Sequence, residues 1–181
     1  MRARAFERWM QPGIDASDCS WWFPRGILPL EVRSRKIGFA WYVFDGNQDA
    51  LRESMDVSRD YLAALVAQAR DALNPSSITL LGFSQGAYLG SYVALTRPDL
   101  FDALVCCCGR PKAEFVSSLG GARGTRVLVQ VGDRDEAVSP ELIAKGVDPL
   151  VAAGLDVTVQ HFDAAHRVTS EMAIAAAEFV Q

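Results

Sequence analysis

Histidine is scarce in this chain. There are two, His161 and His166, among 181 residues, which excludes a metal centre built on three imidazoles. Cysteine is limited to Cys19 and the run Cys106-Cys107-Cys108. Three adjacent cysteines neither build a disulfide framework nor match a zinc spacing. They end an apolar run that begins at Ala103, where cysteine behaves as a small hydrophobe. Reduced thiols suit a cytoplasmic protein. An excess of positive charge is missing too: 18 Lys and Arg face 22 Asp and Glu, for a formal net charge of −4. That leaves no basic footprint for nucleic acid or an anionic membrane. No apolar run approaches a membrane span. The basic stretch from Met1 to Met10 lacks the apolar core of a signal peptide. No internal repeat or low-complexity segment is present. The expected partner is a small molecule, with no nucleic acid, no stable membrane insertion, and no metal or other cofactor.

The length and a 50% hydrophobic content suit one domain, residues 1–181, with a sizeable core. Ala3 to Met10 has helical spacing, with Pro12-Gly13 as its expected end. Ser20 to Phe23 reads as a strand, Pro29 to Gly38 as loop, and Phe39 to Phe44 as an extended aromatic segment. Leu51 to Leu73 carries a long helical stripe that includes Val57, Tyr61, Leu62, Leu65 and Val66. Strands are expected at Ile78–Leu81, Ala103–Cys108, Arg126–Val131 and Leu155–Phe162. Helices are expected after Gly86, from Ser139 to about Ala153, and from Val168 to Val180, with a short one at Ala113–Leu119. Ser139 is placed as an N-cap and Pro140 as the first helical residue. This alternation predicts an α/β fold, a mostly parallel sheet with helices on both faces. Ligands in such folds gather at the carboxyl ends of the strands.

The chain is organised around the strand Ile78–Leu81 and the turn after it. Gly82-Phe83-Ser84-Gln85-Gly86 reads G-x-S-x-G between a strand and a helix, the pattern of a nucleophile elbow. The serine sits in a strained turn, and the glycines let strand and helix pass closely. The helix N-terminus offers free N–H groups and a positive dipole end. The N–H of Gln85 is placed to donate to an oxyanion. Phe83 is placed near the site by its position in the turn.

A serine hydroxyl needs a base, and the base needs an acid to orient it. His166 lies in a loop at the carboxyl end of the last strand, where it can reach Ser84. His161 lies within that strand and reads as structural. For the acid, Asp133, Asp135 and Glu136 all come after the penultimate strand. Asp135 sits deeper in the loop, ahead of the apolar Ala137-Val138. Ser84, Asp135 and His166 run in the order serine, acid, histidine.

These pieces make the chain resemble the phospholipase/carboxylesterase family, among the dienelactone-hydrolase-like α/β-hydrolases. The matching segments are Pro24-Arg25-Gly26, Trp41-Tyr42, Leu81 to Gly86, Gly132 to Pro140, and Asp163-Ala164-Ala165-His166. The resemblance implies an α/β-hydrolase fold with Ser84 as nucleophile, Asp135 as acid and His166 as base. It implies hydrolysis of carboxylic esters or thioesters. Serine at the nucleophile position favours the carboxylesterases over dienelactone hydrolases proper, which carry cysteine. It also implies an H-G-x-G-like oxyanion loop and a central strand ahead of the first helix, and the sequence starts at the helix. The expectation is then either self-association, as a homodimer through open strand edges, or direct pairing of strands around Trp22 and Leu80. Gln85 N–H would be the one strong oxyanion donor, and turnover would fall below that of a version extended upstream.

Two other readings compete. His161, Asp163 and His166 lie close enough in sequence to suggest a metal hydrolase, but His161 and Asp163 share a strand face and no third histidine exists. Alternatively, the chain is a catalytically impaired relative that acts as a binding module. Trp21, Trp22, Phe23, Trp41 and Phe83 could line an acyl pocket or fill the core. Arg25 could meet a substrate carboxylate or sit at a strand end.

Overall fold

The computed structural model describes residues 3–32 and 36–181. The elements are α1 (Ala3–Asp15), β1 (Leu28–Val32), β2 (Lys36–Ala40), α2 (Gln48–Leu73), β3 (Thr79–Phe83), α3 (Gln85–Thr96), β4 (Ala103–Cys107), β5 (Arg126–Gly132), α4 (Pro140–Ala152), β6 (Val157–Phe162) and α5 (Ser170–Val180). A four-stranded parallel sheet runs in the order β3-β4-β5-β6. Parallel neighbours need crossovers, and the helices supply them.

Period-two alternation divides the core between the sheet's two faces. Leu104 and Cys106 of β4 and Val127 and Val129 of β5 pack with Leu62, Leu89, Val93, Ile143 and Leu150 of α2, α3 and α4. Val105, Cys107 and Leu128 pack the other way, against Met10 of α1 and Met172, Ala173 and Ala176 of α5. All five residues of β4 are buried, whereas β3 is mostly half-buried. Gln130 is a fully buried amide in β5. Its Nε2–H donates to the Met172 carbonyl at 2.9 Å, and its Oε1 accepts from the Cys107 thiol at 3.1 Å, so its burial is compensated.

Several local expectations are corrected. Ser20–Phe23 forms no strand. Trp21 and Phe23 stack with centroids 6.2 Å apart, and Trp21 Nε1–H donates to Ser17 Oγ, but their backbone has no ladder partner among the described residues. The direct pairing of strands around Trp22 and Leu80 is therefore absent, and β3 pairs with β4 alone among the described residues. The Pro29–Gly38 stretch holds an antiparallel hairpin, β1 with β2, and its residues 33–35 lie outside the described residues. Pro29 is tolerated because each strand of a two-stranded sheet is an edge. The aromatic segment leaves strand geometry at Trp41, where side chains of Gln85 and Ser58 take over the backbone bonds. Helix α1 continues through Pro12-Gly13 to Asp15. Gly13 is needed there because a Cβ would lie 2.3 Å from the Ala173 carbonyl oxygen of α5. On α2 the buried seam is Leu51, Met55, Ser58 and Leu62; Val57 and Tyr61 are exposed. At Ala113–Leu119 there is only a 3-10 turn, Ala113–Phe115.

Helix boundaries obey local chemistry. Asn47 caps α2, its side chain accepting from the N–H groups of Asp49 and Ala50. Ser139 caps α4 ahead of Pro140, and Thr169 caps α5. No helix among the described residues is long and apolar enough to cross a membrane.

Candidate active site

Ser84 links β3 to α3 with φ 52° and ψ −117°, a conformation sparsely populated by residues with a Cβ. Its N–H donates to the Cys107 carbonyl at 3.0 Å, and its carbonyl accepts from Ala87 and Tyr88. The turn is over-determined by close packing. A Cβ on Gly82 would sit 2.2 Å from the Gly86 carbonyl oxygen, and one on Gly109 would sit 2.6 Å from Ala87 Cβ. Both glycines are therefore steric requirements of the elbow. The N–H groups of Gln85 and Gly86 have no backbone acceptor among the described residues. They lie at the positive end of the α3 dipole.

Three strand ends bring the site together. Ser84 comes after β3, Asp135 after β5 and His166 after β6. His166 Nε2 lies 2.8 Å from Ser84 Oγ, and His166 Nδ1 lies 2.8 Å from Asp135 Oδ2. A neutral imidazole satisfies both bonds with its proton on Nδ1, so that Nε2 accepts from the serine hydroxyl. The Asp135 side chain is 1% exposed and that of His166 32%. Asp135 Oδ1 accepts from the N–H groups of Ala137 and Val138 at 2.8 and 3.1 Å. Those bonds replace the water that burial removes from the carboxylate. The loops can meet because Gly132 lets β5 pass under the histidine loop; a Cβ there would lie 2.5 Å from the Ala164 carbonyl oxygen.

The remaining candidates go elsewhere. Asp133 bonds His161 Nδ1 at 2.8 Å on the surface, where both side chains are exposed. Glu136 is exposed. Asp163 pairs with Arg134 at 2.7 Å. His161, Asp163 and His166 thus face three different partners and converge on no common point, and no metal-holding cluster occurs among the described residues. The Phe83 ring lies 5.0 Å from that of His166 and packs against Phe6 and Trp9 of α1. Trp22 is exposed, and Arg25 stacks over Phe39 at 4.4 Å.

Cys108 and the side chain of Gln85 are neighbours that the motif did not announce. Cys108 also adopts a positive φ, 45°. Its thiol contacts the Arg167 carbonyl at 3.3 Å, tying β4 to the histidine loop. Burial, and after it the Asp135 charge, pushes this thiol up to about 11, so it stays protonated and unreactive at neutral pH. The Gln85 amide clamps a backbone far away in sequence: Oε1 accepts from Trp41 N–H and Nε2–H donates to the Tyr42 carbonyl, each at 3.0 Å. The presence of both Trp41-Tyr42 and Ser84-Gln85 in one family pattern was the only hint of this contact.

A serine at a strand-to-helix turn, with a histidine and a carboxylate from later strand ends, defines a class, and comparison with known proteins agrees on the fold. A family model described as the alpha/beta hydrolase fold matches residues 38–170, more than half of the chain, and the chain belongs to that family. Among solved structures, a carboxylesterase from Mesorhizobium loti superposes with a TM-score of 0.82 at 20% identity, over 99% of this chain and 83% of that one. SOBER1 from Arabidopsis thaliana gives 0.79 at 17% identity, over 99% and 92%. The Bacillus cereus carboxylesterase gives 0.78 at 16%, over 99% and 82%. At these identities the likeness is one of fold. No curated protein matches the chain.

Proposed function

We propose that the chain is a serine hydrolase of the phospholipase/carboxylesterase kind, cleaving small carboxylic esters or thioesters through an acyl-enzyme on Ser84. The observation that carries this reading is the unbroken hydrogen-bond chain from Ser84 Oγ through His166 to Asp135. The solved carboxylesterases of the same fold support it. In the first half-reaction Ser84 Oγ attacks the carbonyl carbon and its proton passes to His166 Nε2. The carbonyl electrons move onto oxygen, facing the free N–H of Gln85. Collapse expels the alcohol or thiol, which takes the proton from His166. In the second half, water attacks the acyl carbon, gives its proton to His166, and the acid leaves as Ser84 recovers its hydrogen. Asp135 holds the ring in the required tautomer and stabilises the imidazolium that forms.

The test is labelling with a fluorophosphonate, together with hydrolysis of nitrophenyl esters of graded chain length. Covalent labelling of Ser84, with turnover that disappears in Ser84→Ala, is the expected result. An unlabelled, inert protein that still binds esters would instead make it a binding module.

A further inference from the structure

Trp41 is held more firmly than its packing requires. Its N–H donates to Gln85 Oε1, its carbonyl accepts from Ser58 Oγ, and the next carbonyl, of Tyr42, accepts from Gln85 Nε2. Ser58 itself is fully buried. The ring packs beside the core cluster between the sheet and α2 and α3. That contact needs an aromatic surface but not a nitrogen. Yet the indole is turned so that Nε1 lies over the first turn of α3: a Cβ built on Gly86 would be 3.9 Å from it. Among the described residues Nε1–H has no hydrogen-bond acceptor, and it is not among the occluded polar atoms left without one. An indole N–H only donates, and it stands at the same helix turn as the unbonded N–H groups of Gln85 and Gly86.

We propose that Trp41 Nε1–H is a catalytic donor to the oxyanion, acting together with the Gln85 N–H. The inference rests on the acyl-enzyme reading above. Negative charge appears on the former carbonyl oxygen only as the tetrahedral intermediate forms, so a fixed donor there stabilises the transition state more than the ground state. The Gln85 side chain then acts as a positioning group. One residue supplies a backbone donor and tethers the segment that carries the second. The tether holds the backbone of Trp41 and Tyr42, and the packing of the ring against the core sets where Nε1 lies relative to the Gln85 N–H.

Trp41→Phe keeps an aromatic ring against the core and removes the N–H along with the five-membered ring that carries it. The expected result is a kcat lower by about 10²-fold with KM changed by less than about threefold. Affinity for a trifluoromethyl ketone, which forms a tetrahedral adduct on the serine, should fall by a similar factor. In the parent protein, the Trp41 indole ¹H–¹⁵N resonance should move downfield when that adduct forms. Substituting Trp9, Trp21 and Trp22 one at a time with Phe identifies the resonance even if Trp41→Phe fails to fold. Adduct formation with an unmoved Trp41 resonance, or a folded Trp41→Phe with unchanged kcat and ketone affinity, overturns this inference alone. Failure of the parent protein to form any adduct overturns the acyl-enzyme reading and this inference with it.

Discussion

Ser84 owes its position to strain that its neighbours enforce, so replacing its hydroxyl should leave the fold intact. Ser84→Ala is expected to lose turnover by about 10⁶-fold, with the melting temperature within about 2 °C of the parent. His166→Ala should lose a comparable factor, and Asp135→Asn about 10⁴-fold, because the amide favours the wrong tautomer. His161→Ala should change kcat/KM by less than about threefold, since its ring serves only an exposed contact with Asp133. Steady-state kinetics on one short ester measures all four. A large loss in His161→Ala with activity retained in His166→Ala would reverse the assignment. The placement of Ser84 and His166 was legible in the sequence because it depends on chain order and on where strands end. The choice among Asp133, Asp135 and Glu136 was less so. It depends on which carboxylate turns inward, and the decisive contacts are the N–H groups of Ala137 and Val138.

Between elements, the close approaches are made at glycines. Gly13→Ala would place a methyl group against the backbone of α5, 2.3 Å from the Ala173 oxygen, and helix backbone cannot move aside cheaply. A cost of about 2 kcal/mol is expected, or about 4–8 °C in Tm for a chain of this size. Thermal unfolding monitored by circular dichroism checks it; an unchanged Tm would mean that α1 does not dock as described. The same helix brings Phe6 and Trp9 to Phe83 beside the site, so the loss of stability should come with some loss of kcat. From sequence, Pro12-Gly13 looked like a helix end. Both residues have that local preference, but α1 lies on α5 and the glycine serves the contact. The hairpin β1–β2 was hidden similarly, since Pro29 argues against a strand except at an edge.

At the scale of the whole molecule, a charge cluster fastens the loop after β4. Arg110 and Lys112 are nearly buried and share one carboxylate, Glu114, with nitrogen–oxygen distances of 2.6 and 3.1 Å. Partial burial pushes the Glu114 carboxyl up, but hydrogen bonds from Arg110, its own backbone and Lys112 overcome this and lower it from 4.5 to about 2. The folded state therefore binds this proton more weakly than the unfolded chain. The associated stability is fully present above about pH 4.5 and is lost as pH falls from there toward 2. Glu114→Gln should flatten the fall of Tm across that window. It should also destabilise the protein at pH 7 by about 2 kcal/mol, less than for a fully buried pair because the carboxylate is partly solvated. Urea unfolding at a series of pH values measures both; parallel pH profiles for the two proteins would remove Glu114 from the acid response.

By itself the sequence determined the parallel sheet, the helices that cross it, and a serine, a carboxylate and a histidine at the ends of three of its strands. Those have short-range causes: period-two and helical patterning, caps such as Ser139, and a turn motif whose glycines have one steric meaning. Tertiary structure decided whatever depends on a distant partner. Ser20–Phe23 has the composition of a strand but no described neighbour to bond, so it stays irregular. The aromatic segment leaves strand geometry at Trp41 because Gln85, 44 residues later, and Ser58 take its backbone bonds. Val57 and Tyr61 look like core on a helical wheel, yet α3 meets the seam beside them. A local pattern fixes what a segment is able to form, but hydrogen bonds and burial are completed between segments, and that completion decides what forms.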